Sequence, residues 1–185
     1  MVDLDALWDF SDPVTSETRF REASARAGSS SDSLVFRTQL ARALGLQRRF
    51  DEAHAELDAV RDASEGATAE VEVRLRLERG RVHNSSGNRD EAIPCFMQAM
   101  DLARQTRLDA LAVDAAHMLG IAEQGEAGER WTRRAIEMAE RIAAARERHA
   151  WLVAVGPGGE VLGYAYGGPW KSREAYAWTC EVSVY

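Results

Sequence analysis

Residues 78–99 read ERGRVHNSSGNRDEAIPCFMQA, and this stretch decides the fold because its pattern of small and large residues returns from earlier in the chain. Gly80, Gly87, Ala92, Phe96 and Ala99 stand 39 residues after Ala41, Arg48, Ala53, Leu57 and Val60, position for position. A register shared over five positions marks a repeated unit of two helices. Small residues let the two helices of a unit approach closely, while Phe or Leu fills the space between neighbouring units, so no single hairpin buries its own face. A weaker third copy runs through HMLGIAEQGEAGERWTRRAIEMAE, residues 117–140, with Gly120 in the place of Gly80 and Ala135 in that of Ala99. Its internal turn is shorter by four residues, as in a degenerate or capping unit.

Outward from these copies the helical signals continue. Asp12-Pro13 supplies an N-cap and a preorganised first helical residue, and Phe20, Ala23 and Ala27 recur at helical spacing up to Gly28. Ser29 to Ser33 form a polar connection, with Asp32 the expected cap of a helix carrying Leu34, Leu40, Ala41 and Leu44, ended by Gly45 and Arg48-Arg49. From Phe50 to Ala63 an apolar stripe of Phe50, Ala53, Leu57 and Val60 has acidic residues near its start, where the helix dipole favours them. The polar stretch Asp62 to Thr68 takes up spare length between the copies. Pro94 is expected close to the first turn of a helix starting between Asn88 and Asp90, where few backbone bonds are lost.

The repeated register resembles the tetratricopeptide repeat, whose usual period is about 34 residues, over approximately residues 34–140. The resemblance implies a scaffold that binds a peptide or protein in a concave groove lined by the first helix of each unit. Carried over position by position, the groove residues are Thr38 and Arg42, then Arg74, Arg81 and Asn84, then His117 and Gln124. Two readings stay open for the three arginines: they receive a carboxylate or an acidic peptide through charge-assisted hydrogen bonds, or they pair with the chain's own Asp and Glu on a solvated face. The lysine and asparagine set of the family's carboxylate clamp is not reproduced.

From Trp151 to Tyr185 the composition changes, with all four tyrosines and three of the five tryptophans gathered there. Trp151 to Val155 is a continuous apolar run, Gly156-Pro157-Gly158-Gly159 a turn, and Glu160 to Tyr166 a second strand candidate. Ala175 to Tyr185 alternates Thr179, Glu181, Ser183 and Tyr185 with Cys180, Val182 and Val184, a period of two. A three-stranded antiparallel meander is the expected result. No helix is expected after the glycine cluster, so it reads as a hairpin turn and not as a phosphate loop.

WLVA, GYAY, GPWKSREAY and WTCEVSVY, in this order and spacing, resemble the central strands of GNAT-type N-acetyltransferases of the phosphinothricin acetyltransferase branch. ERIAAARERHA before them resembles that family's second helix, which puts the junction near Met138 to Ile142. The resemblance implies that Glu181 helps deprotonate the acceptor amine, with Arg173 and Tyr176 near the acceptor site, since only a neutral amine attacks a thioester carbonyl. It also implies acetyl-CoA as the cofactor of an enzyme reading. The family's coenzyme loop is expected beyond the strand ending at Tyr185, and its first strand and helix are replaced here by the repeats.

Composition narrows the rest. A net charge of −7 gives no basic footprint, which argues against nucleic acid or an anionic membrane as a general partner. No run approaches a membrane span, and the acidic start MVDLDALWDF lacks the features of a secretory signal, so a cytoplasmic protein is expected. Cys95 and Cys180 form no framework, and His54, His83, His117 and His149 show no metal-ligand spacing, so no metal is expected. The whole reads as a mainly α chain, a helical repeat domain over 1–140 and a partial acetyltransferase-like segment over 141–185. The leading function is a protein-interaction scaffold with an inactive acetyltransferase fragment, no cofactor and a peptide partner of acidic character. The alternative is an N-acetyltransferase for a small amine or amino acid, completed by another subunit or cut short by a frameshift. A further reading makes the junction accidental, with the tail packed on the long helix expected from Gly128 to Arg148. Open strand edges predict self-association.

Overall fold

The computed structural model describes residues 4–146, 151–155 and 161–166, with side chains from 4 to 142. A 3-10 turn at Asp5–Leu7 precedes α1 (Pro13–Ala25), α2 (Ser30–Leu46), α3 (Phe50–Asp62), α4 (Ala69–Ser85), α5 (Arg89–Gln105), α6 (Asp109–Ala122) and α7 (Gly125–Arg146). Consecutive helices pack as antiparallel hairpins, and α2 also packs on α4, and α4 on α6, as stacked units require.

The three-stranded meander is corrected by the structure. Among the described residues there are two antiparallel strands, β1 (Trp151–Val155) and β2 (Val161–Tyr166), paired Trp151 with Tyr166 and Val155 with Val161. The third expected strand, over 175–185, and the glycine turn lie outside the described residues. Alternation along one segment marks which residues share a face, but it does not choose a pairing edge. Among the described residues the fold is therefore helical hairpins followed by a two-stranded pair.

The repeat register has a structural counterpart in the turns. α2, α4 and α5 each end with a left-handed residue: Arg48 (φ 61°), Gly87 (φ 90°) and Arg107 (φ 58°). In each case the next amide reaches back to a carbonyl of the last turn, Arg49 to Leu44 at 3.0 Å, Asn88 to His83 at 2.8 Å and Leu108 to Ala103 at 2.8 Å. This is the Schellman closure, and it satisfies carbonyls that a helix end leaves bare. Gly87 adopts its φ without steric cost, whereas the two arginines hold theirs against it.

Close packing follows the small residues. A Cβ built on Gly80 would lie 2.5 Å from the Phe96 ring, so α4 and α5 touch through a glycine and an aromatic face. At Gly120 it would meet the Thr132 hydroxyl at 2.5 Å, which brings α6 onto α7. Two main core clusters result. One gathers Phe20, Leu40, Leu57 and Val71 between α1 and α4, and the other Leu77, Phe96, Met100 and Leu119 between α4 and α7. Two details differ from expectation. Ser29, accepting from the Asp32 amide at 3.1 Å, caps α2, and Asp32 sits in its first turn. Pro94 lies inside α5, past the first turn, and the helix continues through it. The long helix expected from Gly128 is α7, which starts at Gly125 and continues past 140/141.

Candidate interaction face

The first helices of the units, α2, α4 and α6, bring their side chains together across one face. Gln39 on α2 and Glu78 on α4 occupy the same place in successive units and touch, Gln39 Nε2 donating to Glu78 Oε1 at 3.1 Å. Arg81, one turn further along α4, donates from one terminal nitrogen to Glu78 Oε1 at 2.6 Å and from the other to both oxygens of Asp114 on α6, at 2.5 and 2.7 Å. Glu78 is 1% exposed, and its Oε2 has no hydrogen-bond partner among the described residues. A buried ion pair of this kind is costly to break because the survivor is left charged and unpaired.

The electrostatics follow from that packing. Burial pushes the Asp114 carboxyl up, but the charges of Arg81 and Arg42 outweigh it and hold the group below the usual carboxylate range. Burial, helped by Arg81 and opposed by Asp114, lowers His117 and keeps its imidazole neutral at pH 7. Arg42 lies between this cluster and the N-terminal segment, its guanidinium 5.2 Å from the Trp8 ring centroid and 5.3 Å from that of Phe10. The Trp8 indole donates to Gln39 Oε1 at 3.2 Å, stacks flat on Phe10 with centroids 4.7 Å apart, and meets Phe20 edge-on.

The expected groove residues divide. Arg42, Arg81 and His117 converge on this face. Thr38 is fully buried and donates to the Val35 carbonyl at 2.7 Å. Arg74 pairs with Glu70 on its own helix at 2.8 Å. Asn84 is half-buried near the end of α4. Gln124 is exposed in the α6–α7 turn, where its amide oxygen, turned toward Arg89, accepts at 2.6 and 3.2 Å. Glu181, Arg173 and Tyr176 lie outside the described residues.

Sequence reasoning missed Gln39, Glu78, Asp114, Trp8 and Phe10. The first pair was findable, because it stands at equivalent repeat positions three residues before Arg42 and Arg81. The aromatics lie before the repeats and carry no periodic signal. A second feature also went unread: a cleft of about 330 Å³ where Arg104, Arg134 and Arg141 surround Ala112 and Met138, with Asp109 at its side. Among the described residues no group of three His, Cys, Asp or Glu is arranged to hold a metal ion, and no helix is long and apolar enough to cross a membrane.

The architecture is thus an array of antiparallel helical hairpins, and no family model matches the chain. Among curated proteins the chain is similar to a phosphinothricin N-acetyltransferase of Streptomyces viridochromogenes (strain DSM 40736 / JCM 4977 / BCRC 1201 / Tue 494), with 55% identity over 40 residues. The match covers 22% of this chain and 21% of that protein, so the chain spans about a fifth of the length of the curated relative it matches.

Proposed function

We propose that this chain takes part in N-acetyl transfer from acetyl-CoA to a small amine or amino acid. The observation that carries the reading is the 55% identity over 40 residues to a phosphinothricin N-acetyltransferase. In this reading Glu181 accepts the proton that the acceptor ammonium must lose, and Arg173 and Tyr176 hold the acceptor, as the resemblance implies. Calorimetric titration with acetyl-CoA tests it. Saturable binding is expected, with turnover lost and binding kept in Glu181→Gln, and the absence of any binding heat would overturn it.

A second reading, a docking scaffold for a protein or peptide of acidic character, is supported by the face that α2, α4 and α6 build in common. Here Arg42, Arg81 and His117 belong to the docking surface, with Gln39 and Glu78 as its floor. Arg42→Ala, which leaves the buried Arg81 bonds to Glu78 and Asp114 in place, is expected to abolish capture of such a partner while acetyl-CoA binding stays unchanged.

A further inference from the structure

We propose that the face around Gln39 and Arg42 is a docking site for a short acidic segment bearing a Trp-x-Phe aromatic pair, and that residues 4–10 of this chain are its resident occupant. The inference deepens the scaffold reading and rests on it.

Three features of the segment fit the site independently. Trp8 engages the floor through the Gln39 amide oxygen at 3.2 Å, which is the same side chain that bonds Glu78 of the next unit. Arg42 lies over both aromatic rings, so one cation serves the Trp and the Phe together. The segment LDALWDF carries Asp5 and Asp9 beside its apolar residues, a charge opposite in sign to that of Arg42, while the Asp9 carboxylate itself accepts from the Ser11 and Asp12 amides. Leu4 and Leu7 add apolar contact with the core cluster of α1 to α4.

The attachment is also of a kind that can be exchanged. Phe10 stays 49% exposed although it is stacked on Trp8. Asp5–Leu7 form one 3-10 turn, held by the Leu7 amide on Leu4 at 3.0 Å and the Trp8 amide on Asp5 at 3.3 Å. Besides the ring contacts with Arg42 and Phe20, the segment is anchored by the Trp8 indole on Gln39 and by the Ser16 hydroxyl, which bonds the Asp9 amide and carbonyl at 2.8 and 2.9 Å. Tethering to α1 keeps the occupant at high local concentration, so a partner segment competes against an intramolecular contact.

The test uses the full chain and a fluorescent peptide of residues 2–12, VDLDALWDFSD, titrated by anisotropy. The double variant Trp8→Ala/Phe10→Ala is expected to bind the peptide at least ten times more tightly than the unaltered chain. Adding Arg42→Ala, or replacing Trp and Phe in the peptide by Ala, abolishes that binding. Equal binding by the two chains, or none by a double variant with the unaltered circular dichroism spectrum, overturns the proposal. Should the double variant unfold, Trp8→Leu carries the same comparison with the apolar bulk kept. In the unaltered chain the Leu7 and Trp8 amides should exchange with deuterium far faster than those of α4, and exchange at the α4 rate sinks the idea. Binding of an acidic peptide without aromatics to both chains alike would support the scaffold reading while overturning this one.

Discussion

Arg81 shows how much one residue can hold when its partners are buried. Its side chain is 11% exposed, against 58% for Arg61, which pairs with Asp62 at the surface. Arg81→Ala leaves the Glu78 and Asp114 carboxylates facing each other without their shared cation, and costs about 3–5 kcal/mol by the behaviour of broken buried pairs. Arg61→Ala is expected to leave the urea midpoint nearly unchanged, because a solvated pair has little to lose. Urea unfolding of both variants checks the contrast, and equal losses would show that Arg81 is no strut. That Arg81 lies on the face shared by the first helices was legible from its place in the repeat. Which carboxylates it meets was not, since Asp114 lies on another helix and no spacing rule within the sequence pairs them.

The hairpin is the scale at which the sequence speaks most clearly, because its signals are local. Gly80 with Phe96 in one unit and Ala41 with Leu57 in the unit before occupy equivalent positions, and the two bulky residues are both fully buried. A larger side chain on the second helix goes with a smaller one on the first. Gly80→Ala alone pushes a methyl to within 2.5 Å of the Phe96 ring. Overpacking costs about 1–3 kcal/mol and the gain in helix propensity returns about 1 kcal/mol, so net destabilisation is expected. In a Phe96→Leu background the same change restores the pairing of the earlier unit, and the two substitutions should be coupled by about 0.5–3 kcal/mol. A double-mutant cycle in urea measures this, and additive effects would show that the glycine is not kept for the ring. Helix ends were less legible than faces. Ser29 and Asp32 are both capping residues by type, and the choice between them depends on where the chain leaves α1, which tertiary packing sets.

At the scale of the molecule, the stacking of units was legible and the meander was not. The repeat register implies contacts between successive first helices, and those contacts exist, whereas the described sheet pairs two strands and the alternation in 175–185 lies outside the described residues. The stacked units also bury histidines that local patterns do not connect. His54 of α3 and His83 of α4 meet with ring centroids 4.6 Å apart and their planes tilted by 48°. Burial lowers His54, with His83 and Arg79 adding to it and Asp58 and Asp51 opposing. It lowers His83 too, against the pull of Glu91, and His117 between Asp114 and Arg81. Each imidazole is a weaker base folded than unfolded, so between its folded value and about 6.5 the unfolded chain binds more protons. Stability is therefore full above that range and falls as pH drops through it. The carboxylates act lower down: Glu17, Glu72 and Asp114 are held below their ordinary values, and their contribution is lost only as pH falls from about 4 toward those lowered values. Thermal melts at pH 7.5 and 5.5 should give a lower midpoint at 5.5. The double variant His54→Gln/His83→Gln should flatten the dependence by removing two of the histidines whose basicity burial lowers. Midpoints that do not change between these pH values in the unaltered chain would mean that the histidines charge in the fold as freely as in the open chain, and that their burial costs nothing.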